Sequence, residues 1–210
     1  MKVSYKDEAA TKLVAIPYEV ADPTVDSQVV NLKASAPDAF LFAGTPKFAA
    51  QALRKMNEMG WKPLTVVNFV GASIGATFVP VGLDKVVGVV TAGFQKEPTD
   101  PKWKDDQGVK DFIAFAQKYL PGADLADQNY MFGYQQGMIL EQLIKQSGND
   151  LSRENILKQS KSIKDLTLPT ALPGIKVNTS ETVNQAYTQL QLQKWNGKSW
   201  DQFGSVLKAD

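Results

Sequence analysis

The chain has 210 residues, a formal net charge of +1 and 43% hydrophobic residues, which bounds it to one ordinary domain or two small lobes. The balanced charge leaves no basic footprint for nucleic acid or anionic membrane, and no apolar run approaches the roughly 20 residues that span a bilayer. Because the sequence contains no cysteine and no histidine, disulfides, thiolate or imidazole metal sites and cysteine nucleophiles are excluded.

The first half alternates short apolar runs with amphipathic stretches. This order predicts strands and helices in alternation, and hence an α/β fold with a largely parallel sheet and flanking helices. Strands are predicted at 13–20, 39–42, 64–70 and 86–94, and helices at about 26–35 and 47–59.

The second half begins with a polar, proline-containing segment at 95–108, which we interpret as a crossing between structural units. Helices are predicted at about 107–119, 128–147 and 152–162. From Gly174 onward we expect strands, and Asn196-Gly197 predicts a C-terminal hairpin.

The turn Ala43-Gly44-Thr45-Pro46 follows a buried strand and opens a helix. Ligands of open α/β sheets bind at the carboxyl ends of strands, so this turn is a candidate binding site. Pro46 fits the first helical position, and Thr45 before it is expected to cap the free backbone N–H groups.

The segment Gly71-Ala72-Ser73-Ile74-Gly75 fits the nucleophile-elbow pattern of α/β hydrolases. Without histidine, Ser73 has no imidazole base, although a Ser-Lys arrangement stays open. We favour a glycine-rich loop whose backbone approaches a ligand closely. No catalytic residue, metal site or cofactor site is predicted, since phosphate-binding glycine motifs and calcium-loop spacing are also missing from the sequence.

Several segments, in order, resemble the extracytoplasmic solute-binding proteins of branched-chain amino acid ABC importers, which have the type I periplasmic binding fold. The resemblance rests on 18–28, 37–60, Gly60-Trp61-Lys62-Pro63-Leu64, Pro98-Thr99-Asp100-Pro101-Lys102-Trp103, 172–178 and the hairpin around Trp195 and Gly197.

The resemblance implies a division of the chain. Residues 1–94 would form the α/β sheet of the second lobe, 95–173 a helical segment returning into the first lobe, and 174–210 a return to the second lobe with the hairpin. It also implies a periplasmic or extracytoplasmic location, a membrane permease as partner, and no enzymatic activity. Capture of a small ligand would close a hinge between the lobes.

Residues 1–6 lack the apolar core of a secretory signal, and residues 1–10 look like the tail of a helix in the second lobe. We therefore expect a carboxy-terminal portion of such a protein, with a naturally short protein of the same descent as the alternative. The predicted helices should lose the cover of a first lobe, so we expect the isolated chain to form a homodimer, rearrange or aggregate, and to bind ligand poorly. The residues expected to lie uncovered are Phe112, Phe115, Ile139, Leu140, Leu143 and Ile144.

The predicted ligand-binding residues are Thr45, Pro46, Asn68, Phe69, Ser73, Tyr130 and Phe132. Amino-acid-binding members of the family carry an acid just after the strand equivalent to 64–70, whereas this chain has Asn68 and Phe69 there. Burying an ammonium group without an anionic partner is costly. We therefore expect an aromatic or branched hydrophobic carboxylate, with a branched-chain amino acid as the other option.

Tyr130 and Phe132 have two interpretations. Such aromatics commonly pack in a helix core. If the helix began after them, however, they would share a side that faces the cleft.

For the whole chain, three alternatives stay open. They are a sensory ligand-binding domain of the same fold, an α/β enzyme using lysine or carboxylates, and an interaction module without a small ligand.

Overall fold

The computed structural model describes residues 12–183 and 185–208. Among these, five strands form one sheet in the order β1-β2-β3-β4-β5. The strands are β1 Ala39–Phe42, β2 Leu64–Val67, β3 Val90–Gly93, β4 Gln189–Trp195 and β5 Trp200–Lys208. The first three are parallel, with Phe42 opposite Val67 and Val66 opposite Val90. The last two form an antiparallel hairpin beside β3, so the predicted α/β fold with its C-terminal hairpin is confirmed.

The helices of the described part lie before β1, between the parallel strands and in a long excursion between β3 and β4. They are α1 Asp26–Ala34, α2 Pro46–Glu58, the single turn α3 Val79–Val81, α4 Gln107–Tyr119, α5 Gln128–Ser147 and α6 Arg153–Ser160. The helices α4, α5 and α6 each have a side chain that caps the N-terminus. Asp106 accepts a hydrogen bond from Val109 N, Asp127 from Asn129 N and Ser152 from Asn155 N. None of these helices is both long and apolar enough to cross a bilayer.

The sheet and α2 share one hydrophobic core. Ala49, Leu53 and Met56, which repeat at helical spacing on α2, are buried against the sheet. Trp195 and Trp200, at the two ends of the hairpin loop, pack into the same core. The core therefore joins the parallel strands to the C-terminal hairpin.

Four strand predictions need correction. The strand predicted at 64–70 ends at Val67, and the strands expected from Gly174 onward begin only at Gln189. Residues 13–19 have no regular secondary structure, and the strand predicted at 86–94 is formed only from Val90 onward. Tyr18 packs its ring on Phe42 and Phe48, and Val86 is buried in a turn. Packing rather than strand pairing thus holds Tyr18 and Val86, whereas Val14 is 55% exposed and its apolar spacing reflects neither. The helix tail expected at residues 1–10 lies outside the described residues.

The prediction of uncovered helix residues is partly wrong. Phe112 is buried in a small core with Val109, Ala116 and Met131, and Ile139 packs on the segment 163–177. Leu143 is half-buried. Phe115, Leu140 and Ile144 are exposed by 37%, 52% and 46%. The helices therefore build cores of their own and leave a narrower apolar face than expected.

Two helical glycines provide a matched test of packing. A Cβ on Gly108 would lie 2.4 Å from the carbonyl oxygen of Pro169, whereas one on Gly133 would meet nothing within 4 Å. We expect Gly108→Ala to destabilise the fold by about 1–3 kcal/mol through backbone displacement. Gly133→Ala should stabilise it by about 0.5–1 kcal/mol, since alanine loses less backbone entropy in a helix. Urea unfolding measures both, and equal effects of the two substitutions would contradict the packing of α4 on the 163–177 segment.

Candidate functional site

The ends of β1 and β2 lie side by side at one edge of the sheet. Gly44 N donates to Asn68 Oδ1 at 3.0 Å, and Asn68 N donates to the Phe42 carbonyl at 2.9 Å. A Cβ on Gly71 would lie 2.8 Å from Asn68 Oδ1, so glycine is needed there for the close approach. The side-chain amide of Asn68 keeps its Nδ2 as a donor at this edge.

Thr45 and Pro46 begin α2 at the same edge. Pro46 occupies the first helical turn as predicted, and Thr45 is exposed. The expected cap by Thr45 is wrong, because its side chain makes no capping hydrogen bond although the residue holds the N-cap position. Thr45 therefore has no side-chain role in starting the helix, and it follows Gly44, whose N–H donates to Asn68.

Ser73 ends the turn Phe69–Ala72 and begins the helical turn Ile74–Phe78. Its hydroxyl is fully buried, donates to the Ala126 carbonyl at 3.2 Å and accepts from Ala76 N at 3.3 Å. Its backbone is ordinary extended chain, with φ −63° and ψ 132°, whereas a nucleophile elbow is strained and exposes its hydroxyl. Ser73 therefore fastens the loop to the start of α5.

Gln128 strengthens that attachment. Its Nε2 donates to the carbonyl oxygens of Phe69 at 2.8 Å and Val70 at 3.3 Å. Gln95 Nε2 in turn donates to the Gln128 carbonyl at 3.0 Å. The loop after β2, the chain after β3 and the first turn of α5 are thus joined by side-chain amides.

An aromatic wall formed by Phe69, Phe94, Phe132 and Tyr187 lies next to these groups. Ring centroids are 4.5 Å apart for Phe69 and Phe94, 5.9 Å for Phe94 and Phe132, and 4.3 Å for Phe94 and Tyr187. Tyr187 donates to Gln135 Oε1 at 2.6 Å, and burial raises its pKa above the ordinary value. Phe132 remains 38% exposed, so the wall offers an apolar surface to a guest.

Tyr130 and Phe132 do not share a side as the cleft interpretation required. The helix begins at Gln128 and includes both residues, and positions two apart on a helix point about 200° apart. Phe132 joins the wall, whereas Tyr130 is 38% exposed on another face.

The sequence model of the family described as periplasmic binding protein matches residues 2–199. The chain belongs to the periplasmic binding protein family. No curated protein matches it at a significant level.

Solved structures share the type I periplasmic binding protein fold with this chain. They include a branched-chain amino acid ABC transporter protein from Thermus thermophilus with bound valine, at TM-score 0.71 and 12% identity over 90% of this chain and 50% of that one. A leucine-binding protein from Thermotoga maritima gives TM-score 0.65 and 17% identity over 92% and 51%. A fatty acid ABC transporter substrate-binding protein from Thermomonospora curvata gives 0.66 and 19% over 93% and 49%. The chain thus spans about half the length of these periplasmic binding proteins.

One polar group of this periplasmic binding protein was not predicted. Glu97 lies in the crossing segment, whose polar composition indicates solvent exposure, yet the residue is only 6% exposed. Burial raises the pKa of Glu97 to about 8, and the negative charges of Asp100 and Asp127 add to the shift, against hydrogen bonds from Ile74 N and the Thr99 hydroxyl. Glu97 and Phe69 line the same cavity, although nearly thirty positions separate them in the sequence. No local pattern could have revealed that neighbourhood.

Proposed function

We propose that this chain is part of the substrate-binding component of an ABC importer, which captures a small hydrophobic or aromatic carboxylate or a branched-chain amino acid. The observation that carries the proposal is the aromatic wall beside the polar ends of β1 and β2. Apolar surface with a few convergent polar groups is typical of small-molecule sites.

Six of the seven candidate residues then have a role in the proposed site. Phe69 and Phe132 pack against the apolar body of the ligand, and Asn68 Nδ2 and the Thr45 hydroxyl donate hydrogen bonds to its carboxylate. Pro46 shapes the start of α2 beside them. Tyr130, which lies on another face of α5 from Phe132, has no contact with the ligand in this proposal. Ser73 acts indirectly by holding the loop that carries Phe69, since its own hydroxyl is bonded to Ala126.

Closure is proposed to occur between the unit 1–94, extended by 174–210, and the helical unit 95–173. The contacts of Ser73 with Ala126 and of Gln128 with Phe69 and Val70 join the two units next to the wall. A ligand that touches both units stabilises the closed arrangement by its differential affinity for it. No bond is made or broken in this process, and the buried, bonded Ser73 supports a binding role rather than hydrolysis.

The partners of this function are proposed from the family. A first lobe completes the cleft, and a membrane permease recognises the closed form outside the cytoplasm. Phe115, Leu140 and Ile144 on α4 and α5 form an exposed apolar face, which is where a first lobe or a second copy of the chain would pack.

Saturation-transfer NMR tests the proposal, because it detects the weak, rapidly exchanging binding expected of a chain that contains only part of the cleft. We expect transfer to 3-phenylpropanoate or 4-methylpentanoate and none to glycolate, which lacks an apolar body. Phe69→Ala and Phe132→Ala should weaken binding at least roughly tenfold, since each removes an aromatic contact. Phe203→Ala, an exposed aromatic on β5, is the matched control and should leave binding unchanged. Equal transfer in all three variants would contradict the proposed site.

A further inference from the structure

A small polar cavity lies behind Phe69, between the ends of β2 and β3 and the first turn of α5. Its volume is about 10 Å³, close to the smallest space that holds one water-sized group. The polar side chains that line it are Thr91, Gln95, Glu97, Gln128 and Gln193. They come from separate parts of the chain, and the fold brings them together around one point.

Two buried oxygens of this cavity have no hydrogen-bond partner within the described part of the chain. They are Thr91 Oγ1 and Gln95 Oε1, on residues that are 2% and 3% exposed. The amide nitrogen of Gln95 is bonded to the Gln128 carbonyl, which leaves Oε1 as the unpaired end. Buried acceptors in native proteins almost always find a donor, so a guest that carries donors or positive charge fits here.

The titratable groups around the cavity are acidic, and Glu97 becomes negatively charged near pH 8. Glu97 lines the cavity, and the carboxyls of Asp100 and Asp127 act on Glu97 from nearby. Among residues 12–183 and 185–208, no lysine or arginine side chain forms an ion pair with any of these three. The neighbouring Lys96 is directed elsewhere, with Nζ 2.6 Å from Asp106 Oδ2 and 2.7 Å from the Pro169 carbonyl.

We propose that this cavity is a binding site for one small monovalent cation of ammonium or potassium size. The carboxylate of Glu97 supplies the charge, and Gln95 Oε1 and Thr91 Oγ1 supply neutral oxygen ligands. Among the described residues, Glu97 is the one acid that lines the cavity, and its single negative charge balances a monovalent cation but leaves a divalent ion half-compensated in a buried site. The cation has two sources: a free ion, or the ammonium end of the captured ligand. The second source rests on the proposed function, since Phe69 lines both the cavity and the aromatic wall.

Thermal unfolding in different chlorides tests the site. Near pH 8, about the pKa of Glu97, potassium and ammonium chloride should raise the melting temperature by a few degrees above choline chloride of equal ionic strength. The increase should saturate with concentration, because it reports one site. Choline is too large to enter and serves as the control ion.

Three variants test whether the rise in melting temperature arises at this cavity. Glu97→Gln should abolish the difference in melting temperature between potassium and choline. If Glu97→Gln does not fold, Thr91→Val is the second test. It removes one oxygen at nearly constant shape and should weaken that difference. Glu58→Gln, at an exposed acid on α2, should keep the full difference. Equal melting temperatures of the unsubstituted protein in potassium and choline would overturn the proposal and leave a buried water as the occupant.

Leucine and 4-methylpentanoate, which differ by the amino group, separate the two sources. If the ligand supplies the cation, leucine raises the melting temperature in choline buffer, potassium competes with it, and Glu97→Gln removes the preference for leucine. If the ion is free, potassium acts and neither compound competes with it. Binding of neither compound together with a saturable potassium effect would contradict the proposed function while supporting the cation site.

Discussion

Trp195→Ala is expected to lower the free energy of unfolding by about 3–5 kcal/mol, the range for truncating a large buried aromatic. Trp195 is 1% exposed, and its ring lies 5.4 Å from that of Phe78 and 5.5 Å from that of Trp200. Its Nε1 donates to the Leu83 carbonyl at 3.0 Å, which fixes the turn before β3 to the hairpin. Urea unfolding followed by far-ultraviolet circular dichroism measures the loss without depending on tryptophan emission.

Two further variants show how much of this loss comes from the hydrogen bond and how much from burial. Trp195→Phe keeps most of the packing but leaves the Leu83 carbonyl without its donor, at a cost of about 1–3 kcal/mol. Phe203→Ala removes a 43% exposed ring from β5 and should cost less than about 1 kcal/mol. If Trp195→Ala costs no more than Phe203→Ala, the hairpin does not contribute to the sheet core as described.

Between about pH 5 and pH 8 the protein is expected to lose stability as pH rises. The pKa of Glu97 is raised from 4.5 to about 8 in the folded protein, so in this window the folded state binds more protons than the unfolded state. By linkage, raising the pH then favours unfolding, and the loss stops above pH 8. At about 1.4 kcal/mol per pKa unit, the total is on the order of 4 kcal/mol. Urea unfolding at several pH values measures the slope.

No histidine titrates between about pH 5 and pH 8, because the chain has none. The lowered pKa values of Asp106 and Asp150 act only at more acidic pH, and the raised values of Tyr134 and Tyr187 only above their ordinary 10. Glu97→Gln should therefore flatten the slope, while Glu58→Gln should preserve it. A Glu97→Gln protein with the same slope as the unsubstituted protein would show that Glu97 does not titrate in this range. A saturating cation should also reduce the slope, since it favours the ionised carboxylate.

Helices were predictable from sequence because each of their signals is local. Asp106 and Ser152 cap the helices they precede, and Pro46 stands at the start of α2. The strands were less predictable, because pairing depends on a distant partner. The Gly88 backbone, with φ +93°, forms a turn within the apolar run that ends in β3.

The sequence also did not reveal which segment packs on the apolar faces of the helices. Residues 163–177 have little secondary structure and two prolines, yet Leu172 and Ile175 pack against Ile139 of α5. A sequence pattern indicates that a helix face is apolar but not which segment covers it. The expectation of a bare face therefore held for Leu140 and Ile144 and failed for Phe112 and Ile139.

At the site, Thr45 and Asn68 could be placed at one sheet edge from sequence, because parallel strands end on the same side. The aromatic wall and the cation cavity could not. Phe94 and Tyr187 are nearly a hundred positions apart, and Glu97 and Phe69 line one cavity although they follow different strands.

The measurement that tests the central claim most directly is a map of chemical-shift changes on adding 3-phenylpropanoate. Binding at the aromatic wall predicts that the largest changes fall on the side-chain amide of Asn68 and the rings of Phe69 and Phe132, with none at Phe203. Changes scattered over the surface, or none at millimolar ligand, would contradict the assignment of this sheet edge as the ligand site.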